Sequence, residues 1–243
     1  KSTNSRVRRG GARMLERIST LEESKVAMAQ DPTTVPLLLS LFKFDYNTQI
    51  TAARTLAELA EAPRNRPMLV AMKCVPTIIE FLPQGDEEMR FELARALADL
   101  AMAVDNRLPI VNCSGAIAEL TAIMTDESAQ SGPVQPEIFR CVANLVAPAG
   151  SVVTIEASTV ESNVVGELEE VAEWRRSSEG IAWRNDYNTT DLDRIHMKVG
   201  NSGIIGALMA QPHGRQDSVR RLAEESIRNL MRVSPTEFDF AKM

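Results

Sequence analysis

Short apolar segments of one design recur along the chain: TVPLLLSLF at 34–42, CVPTIIEFL at 74–82, AIAELTAIM at 116–124 and IIGALMA at 204–210. Val35, Val75 and Ile117 stand 40 and 42 residues apart, and Ile205 falls in the same register 88 residues after Ile117. A polar turn follows each segment, and then a second apolar run: ITAARTLAELA at 50–60, FELARALADLA at 91–101, IFRCVANLVA at 138–147 and RLAEESIRNLM at 221–231. In these runs Leu56 and Leu59, Leu97 and Leu100, Val142 and Leu145, and Ile227 and Leu230 are three apart, so each pair shares one helical face. Such a stripe needs burial, and small residues before it at Ala52, Ala53, Ala94 and Ala223 let a neighbouring helix come close. The pattern predicts helix, turn, helix, repeated. One unit cannot bury its stripe alone, so the units stack and share a core.

Helix starts are marked by Asp86-Glu87-Glu88 and by Pro136-Glu137, which offer a cap, a first-position proline and first-turn carboxylates suited to the positive end of the helix dipole. Composition agrees: Ala, Leu, Glu and Arg dominate and aromatics reach only 5 %, a balance that favours helices over sheets. The chain reads as all-α.

A period near 40–47 residues belongs to the armadillo and HEAT classes, and here the sequence resembles the armadillo family. Gly115-Ala116-Ile117, Cys74-Val75-Pro76 and Gly203-Ile204-Ile205 look like the opening of that family's second helix. Cys141-Val142-Ala143-Asn144-Leu145 and Ser226-Ile227-Arg228-Asn229-Leu230 are similar to the end of its third. Arg13-Met14-Leu15-Glu16-Arg17-Ile18 resembles one more third helix without its first two. The resemblance implies a right-handed α-solenoid of three-helix repeats, about four plus an N-terminal half repeat, with an insertion before the last. The corresponding divisions are a basic extension at 1–11, repeats over 12–147, an insertion over 148–188, a final repeat at 189–232 and a tail at 233–243.

In armadillo proteins the third helices line a concave groove, where an asparagine ladder holds the backbone of an extended partner. Asn144 and Asn229 match that position, while Glu58 and Asp99 occupy it in the two earlier repeats and Arg17 in the half repeat. The place four residues earlier, often tryptophan in the family, holds Arg13, Arg54, Arg95 and Arg140, then Glu225. One reading makes this an arginine ladder that grips carboxylates or phosphates on a partner, a task the planar guanidinium suits. The other makes Arg54 with Glu58, and Arg95 with Asp99, i,i+4 pairs that close on themselves.

Residues 148–188 break the rhythm, either as an insertion or as a degenerate repeat, since 88 is twice 44. Ser158-Thr159-Val160-Glu161 reads as a capping box before an amphipathic helix with Glu167, Glu169, Glu170 and Glu173 on its wet face. Both tryptophans, Trp174 and Trp183, fall here, either anchoring the segment to the stack or forming a partner interface.

A net charge of −6 argues against wholesale nucleic-acid binding. Lys1, Arg6, Arg8, Arg9, Arg13 and Arg17 against Glu16 and Glu22 make residues 1–22 +4 and leave the remainder −10. Cys74, Cys113 and Cys141 are odd in number and set in apolar helical runs, which fits reduced thiols in a reducing compartment, cytoplasmic or organellar, mitochondrion and plastid included. The uncharged stretch from Cys141 to Ile155 is too short to span a bilayer, so membrane association is expected only through an N-terminal anchor or a complex. Lys1 opens an acid-free stretch that fits a removed presequence as well as trimming at a domain edge.

No metal or cofactor is expected: the cysteines and the two histidines, His196 and His213, lack the close spacing of a zinc site. Asp193 and His196 share a helix face without a nucleophile motif, which reads as a solvated pair, and no phosphate-binding glycine loop occurs. The expected function is therefore a non-enzymatic adaptor that docks another protein, an acidic or extended segment, through Arg54, Arg95, Arg140, Asn144, Asn229, Glu58 and Asp99. The alternative is a permanent structural subunit of a larger, organellar membrane assembly.

Overall fold

The computed structural model describes residues 4–126, 132–147, 191–200, 202–209 and 217–233, and among them there are α-helices and no strands. A single helix, α1 (Ser5–Ser19), leads. Helices then come in threes: α2 (Glu22–Gln30), α3 (Thr34–Leu41) and α4 (Tyr46–Glu61); α5 (Arg66–Ala71), α6 (Cys74–Phe81) and α7 (Glu87–Ala101). Next are α8 (Val104–Asn112), α9 (Ala116–Thr125) and α10 (Val134–Val146), and last α11 (Asp191–Gly200), α12 (Ile204–Met209) and α13 (Asp217–Val233). The fold is an armadillo-like α-solenoid.

The second and third helices of each layer follow the apolar runs. The first helices are 9, 6, 9 and 10 residues long. Third helices stack on one another in the order α1, α4, α7, α10, α13, and they form the spine of the core. Leu56, Leu59, Leu93, Leu97, Leu100, Ile138, Val142 and Leu145 are all fully buried there. Asp86 caps α7, its Oδ1 accepting from the Met89 amide at 3.0 Å. Pro136 is the third residue of α10 and not the first, because the helix begins two residues earlier, at Val134 behind Pro133. The position costs little, since the first amides of a helix lack intrahelical acceptors.

The fourth triplet stacks directly on the third: α11 packs on α8, α12 on α9 and α13 on α10. Layers adjacent in space are thus separated by residues 148–190 in sequence. The capping box at Ser158, the acidic run at Glu167–Glu173, Trp174, Trp183 and His213 lie outside the described residues.

A buried polar group fastens each layer. Lys25, Arg66 and Arg107 stand 41 residues apart in α2, α5 and α8, and all three are buried. Arg66 donates to the Ala60 carbonyl at 3.0 Å and the Glu61 carbonyl at 2.9 Å. Arg107 donates to the Ala101 carbonyl at 3.2 Å and to that of Ala147, so it ties the ends of α7 and α10 together. Beside them the Asn65 amide donates to the Leu59 and Lys25 carbonyls, each at 2.9 Å, and the Asn106 amide to the Leu100 carbonyl at 3.0 Å. Apart from that of Lys25, which lies within α2, these carbonyls are the ones a helix leaves open at its C-terminus, where the dipole also favours a cation. Burial lowers the pKa of both guanidiniums. In the fourth layer His196 takes this role, its Nε2 donating to the Val146 carbonyl at 2.9 Å. Asp193 and His196 are accordingly buried, not a solvated pair.

Cys74 and Cys141 are buried, and burial pushes both thiols up to about 12. Cys113 differs from the expectation of a packed helical thiol: it follows the last residue of α8 and is half-buried. All three are free thiols.

Candidate functional site

The third helices present a row of charged side chains that crosses every boundary from α1 to α10. Arg54 Nη1 lies 3.3 Å from Glu16 Oε1 on α1, and its Nη2 meets Glu88 on α7. Arg95 Nη2 lies 2.9 Å from Glu58 Oε1 on α4 and 3.0 Å from Glu92 Oε2 one turn before it. Arg140 Nη1 lies 2.7 Å from Asp99 Oδ1 on α7, and its Nη2 lies 2.6 Å from Glu137 Oε2. Each arginine therefore reaches a carboxylate on the third helix before it. The i,i+4 pairings of Arg54 with Glu58 and Arg95 with Asp99 do not form. A helix face offers i+4 neighbours at a cost of two flexible side chains, whereas the stack brings in the carboxylate of the next layer along with a second one.

Exposure falls along the row: the side chains of Arg54, Arg95 and Arg140 are 36 %, 24 % and 9 % accessible. For Arg140, burial works against the charge, and Asp99 and Glu137 more than offset it, so its pKa rises. The same balance raises those of Arg54 and Arg95. The row also reaches inward, because Glu58 Oε2 lies 3.5 Å from the ammonium of Lys25, which Glu22 holds at 2.5 Å and Glu61 also contacts. Burial opposes the charge on Lys25, and these carboxylates overcome it and raise its pKa.

Asn144 and Asn229, at the ladder positions of α10 and α13, are both buried. The Asn229 amide donates to Glu225 Oε1 at 3.2 Å, and its Oδ1 is buried without a hydrogen-bond partner among the described residues. The structure thus pairs Glu58 with Arg95 and Asp99 with Arg140, links these two clusters through the Arg95 carbonyl, which accepts from Arg140 Nη2 at 3.4 Å, and sets Arg54 in its own cluster with Glu16 and Glu88, while Asn144 and Asn229 are buried in α10 and α13. Among the described residues no group of three His, Cys, Asp or Glu side chains could hold a metal ion. Nor is any single described helix long and apolar enough to cross a membrane.

Sequence reasoning missed Lys25, Arg66, Arg107 and the asparagines beside the two arginines. Their signal was present in the dipeptides Asn65-Arg66 and Asn106-Arg107, spaced 41 residues apart like Arg54 and Arg95. It was hidden because a cation is ordinarily read as surface.

No family model matches the sequence, and no curated protein does. Solved structures share the fold. An engineered protein superimposes with a TM-score of 0.57 at 22 % identity, over 96 % of this chain and 94 % of that one. A designed armadillo repeat protein in complex with the peptide (KR)4 gives 0.57 at 14 % identity, over 95 % of each chain. A computationally designed armadillo repeat protein for modular peptide recognition gives 0.56 at 14 %, over 93 % of this chain and 94 % of that one.

Proposed function

We infer that this chain is a non-enzymatic peptide-binding scaffold that docks an extended segment of another protein across its third helices, with Arg54, Glu58, Arg95, Asp99 and Arg140 as the contact row. The observation that carries this reading is the continuity of the row, which offers one rung per layer, most open at α4 and α7. An extended chain rises about 3.3 Å per residue, so alternate side chains of a short segment would meet successive rungs. The designed armadillo proteins that share the fold and bind peptides support a protein partner.

The charge balance refines the partner. Three guanidiniums face six carboxylates, Glu16, Glu58, Glu88, Glu92, Asp99 and Glu137, so the row is acidic as a whole. The arginines are already engaged, and an acidic segment would have to displace those carboxylates. A segment carrying Lys or Arg adds to the network without breaking it.

The test is fluorescence anisotropy with labelled (KR)4 and (DE)4 peptides at low and high salt. Binding of (KR)4 that weakens with salt and with Glu58→Gln plus Glu88→Gln is expected. Binding of (DE)4 instead would restore the arginine grip, and binding of neither would end the reading.

A further inference from the structure

We propose that the cleft between the second and third layers, on the side of the first and second helices, is a second docking site. It takes a short extended segment of another protein that carries an acidic and a basic residue on either side of a large apolar one. The site shares no residue with the charged row, and the inference does not depend on what that row binds.

The cleft follows from a break in the repeat. The spacing of 41 residues that relates Arg66 to Arg107 also relates Met68 and Met72 to Pro109 and Cys113. Met68 and Met72 are half-buried, and Met72 packs against the core, as suits a side chain that fills irregular gaps. Pro109 and Cys113 are too short to fill the same positions one layer on. A cleft of about 480 Å³ opens there, within the range of roughly 300–1,000 Å³ typical of ligand sites. Val70, Val75, Pro76, Ile79 and Pro109 give it an apolar lining, and all the residues that line it belong to the second and third layers.

Two opposite charges stand at its ends. Lys73 directly precedes α6, and Glu80 is the last residue but one of that helix. A separation of seven residues puts both on one face of α6, about 10 Å apart along its axis. Both are exposed and line the cleft, and no ion pair among the described residues engages either. The corresponding positions hold Thr33 and Ser40 in the first layer and Gly115 and Ala122 in the third, so neither neighbour repeats the pair. Lys73 also has a left-handed backbone, φ 66°, where Gly115 and Gly203 turn without a Cβ. Strained residues of this kind persist at ligand sites, and here the strain keeps an ammonium at the lip of the cleft.

Charge and length name the occupant. An acidic side chain of the ligand meets Lys73, a basic one meets Glu80, and the apolar side chain between them fills the space that methionines fill one layer earlier. At about 3.3 Å per residue, an extended segment covers the distance between the two charges in about three residues. Asn112 and Ser114 also line the cleft and serve the backbone of such a segment. Asn112 Oδ1 accepts from Lys198 Nζ at 2.5 Å, which leaves the amide N–H groups of Asn112 as the donors for a ligand. A segment with two acids or two bases would set one charge against its like.

The experiment titrates the full, isotope-labelled chain with the end-blocked peptides GEFKG, GEFEG and GKFKG and follows the amide signals of Ser114 and Gly115. Saturable shifts are expected with GEFKG, at an affinity at least tenfold tighter than with either of the others. Lys73→Glu should turn the preference to GKFKG and Glu80→Lys should turn it to GEFEG, with melting temperatures unchanged because both side chains are exposed. Cys113→Met restores the methionine of the layer before and should abolish binding with both charges intact. No saturable shift with any peptide, or an affinity for GEFKG indifferent to Lys73 and Glu80, overturns the proposal. Two further results would overturn it in favour of another occupant. One is Overhauser contacts, in the peptide-free chain, between the Ile79 methyl groups and residues 148–190 or 234–243, and the other is a concentration-dependent dimer abolished by Cys113→Met.

Discussion

The middle layers and the last layer solve one problem with different chemistry. At the ends of α4 and α7 the open carbonyls are met by Arg66 and Arg107, while at the end of α10 the Val146 carbonyl is met by His196. A guanidinium carries several donors in a fixed fork and stays charged at every ordinary pH. Arg107 uses them to join two layers through the Ala101 and Ala147 carbonyls. The imidazole of His196 has one donor in its neutral form. Nε2 serves the Val146 carbonyl, and Nδ1 is buried with no hydrogen-bond partner among the described residues. Burial first, and the nearby Arg107 last, push its pKa down to about 4, against a backbone bond and Asp193 that push it up. The last layer is thus fastened by a weaker and proton-sensitive clamp.

The largest effect expected from this contrast comes from Arg107→Met, which keeps most of the stem and removes both bonds. Replacing a buried charge with an apolar group is often harmless when its partners go too. Here the Ala101 and Ala147 carbonyls remain buried, and hydrogen bonds to charged groups contribute about 1.5–3 kcal/mol each. A loss of about 4 kcal/mol should appear in the urea midpoint. A midpoint at or above that of the parent chain would show that Arg107 fastens nothing.

Acid should act on the last layer next. His196 is neutral when folded down to about pH 4, whereas in the unfolded chain it gains its proton near 6.5. Between these values the unfolded state binds more protons, so stability falls as pH falls across that window and levels off below it. Each pKa unit corresponds to about 1.4 kcal/mol, giving a loss on the order of 3 kcal/mol by pH 4. Carboxylates lose stability over part of the same range, so the measure is the difference between the parent and His196→Gln, whose amide still donates to Val146. Parallel stability curves for the two proteins from pH 7 to pH 4 would exclude a role for His196 titration.

The repeat was legible because burial imposes a period. Leu56 and Leu59, and their counterparts, have to face the core in each layer, and three-residue spacing announces it. The first helices were not legible, since α5 has only six residues and owes its place to neighbours on both sides. The charged row was half legible. The register of Arg54, Arg95 and Arg140 appears in sequence, but each has a partner 38, 37 or 41 residues away on another helix, which local spacing does not suggest. The buried clamps were obscured for the opposite reason. Lys25, Arg66 and Arg107 have the repeat's period but the wrong polarity for a core, and only the carboxylates around Lys25 and the carbonyls around the two arginines explain their burial.

A smaller effect should follow at the asparagines beside the clamps. Asn106 donates to the Leu100 carbonyl, and at the corresponding place before His196 the last layer carries the apolar Ile195. Asn106→Ile would make the third layer resemble the fourth, at a cost of about 2 kcal/mol for a carbonyl left buried without its donor. Hydrogen exchange at the end of α7 should rise in that variant. Protection equal to the parent's would mean that water replaces the amide and that the two layers differ only in their cation.

The turn between first and second helices carries the same comparison to its smallest term. Gly115 and Gly203 take positive φ there, at 81° and 82°, while the second layer places Lys73 at φ 66° and ψ 32°. The left-handed region costs a residue with a Cβ about 1–2 kcal/mol relative to glycine. Glycine also has more freedom to lose on folding, which returns about 0.4–1 kcal/mol of that gain. Lys73→Gly should therefore stabilise the chain by about 0.5–1 kcal/mol. The reverse changes test the same balance without steric confusion: a Cβ at Gly115 would meet Ile79 Cγ2 at 3.7 Å, an ordinary contact, and one at Gly203 would meet nothing. Gly115→Ala and Gly203→Ala should then lose similar amounts, because backbone conformation is the only term they share. Thermal unfolding of the three variants reads the result. A Lys73→Gly chain that melts below the parent would mean that the lysine side chain contributes more to this turn than its backbone costs.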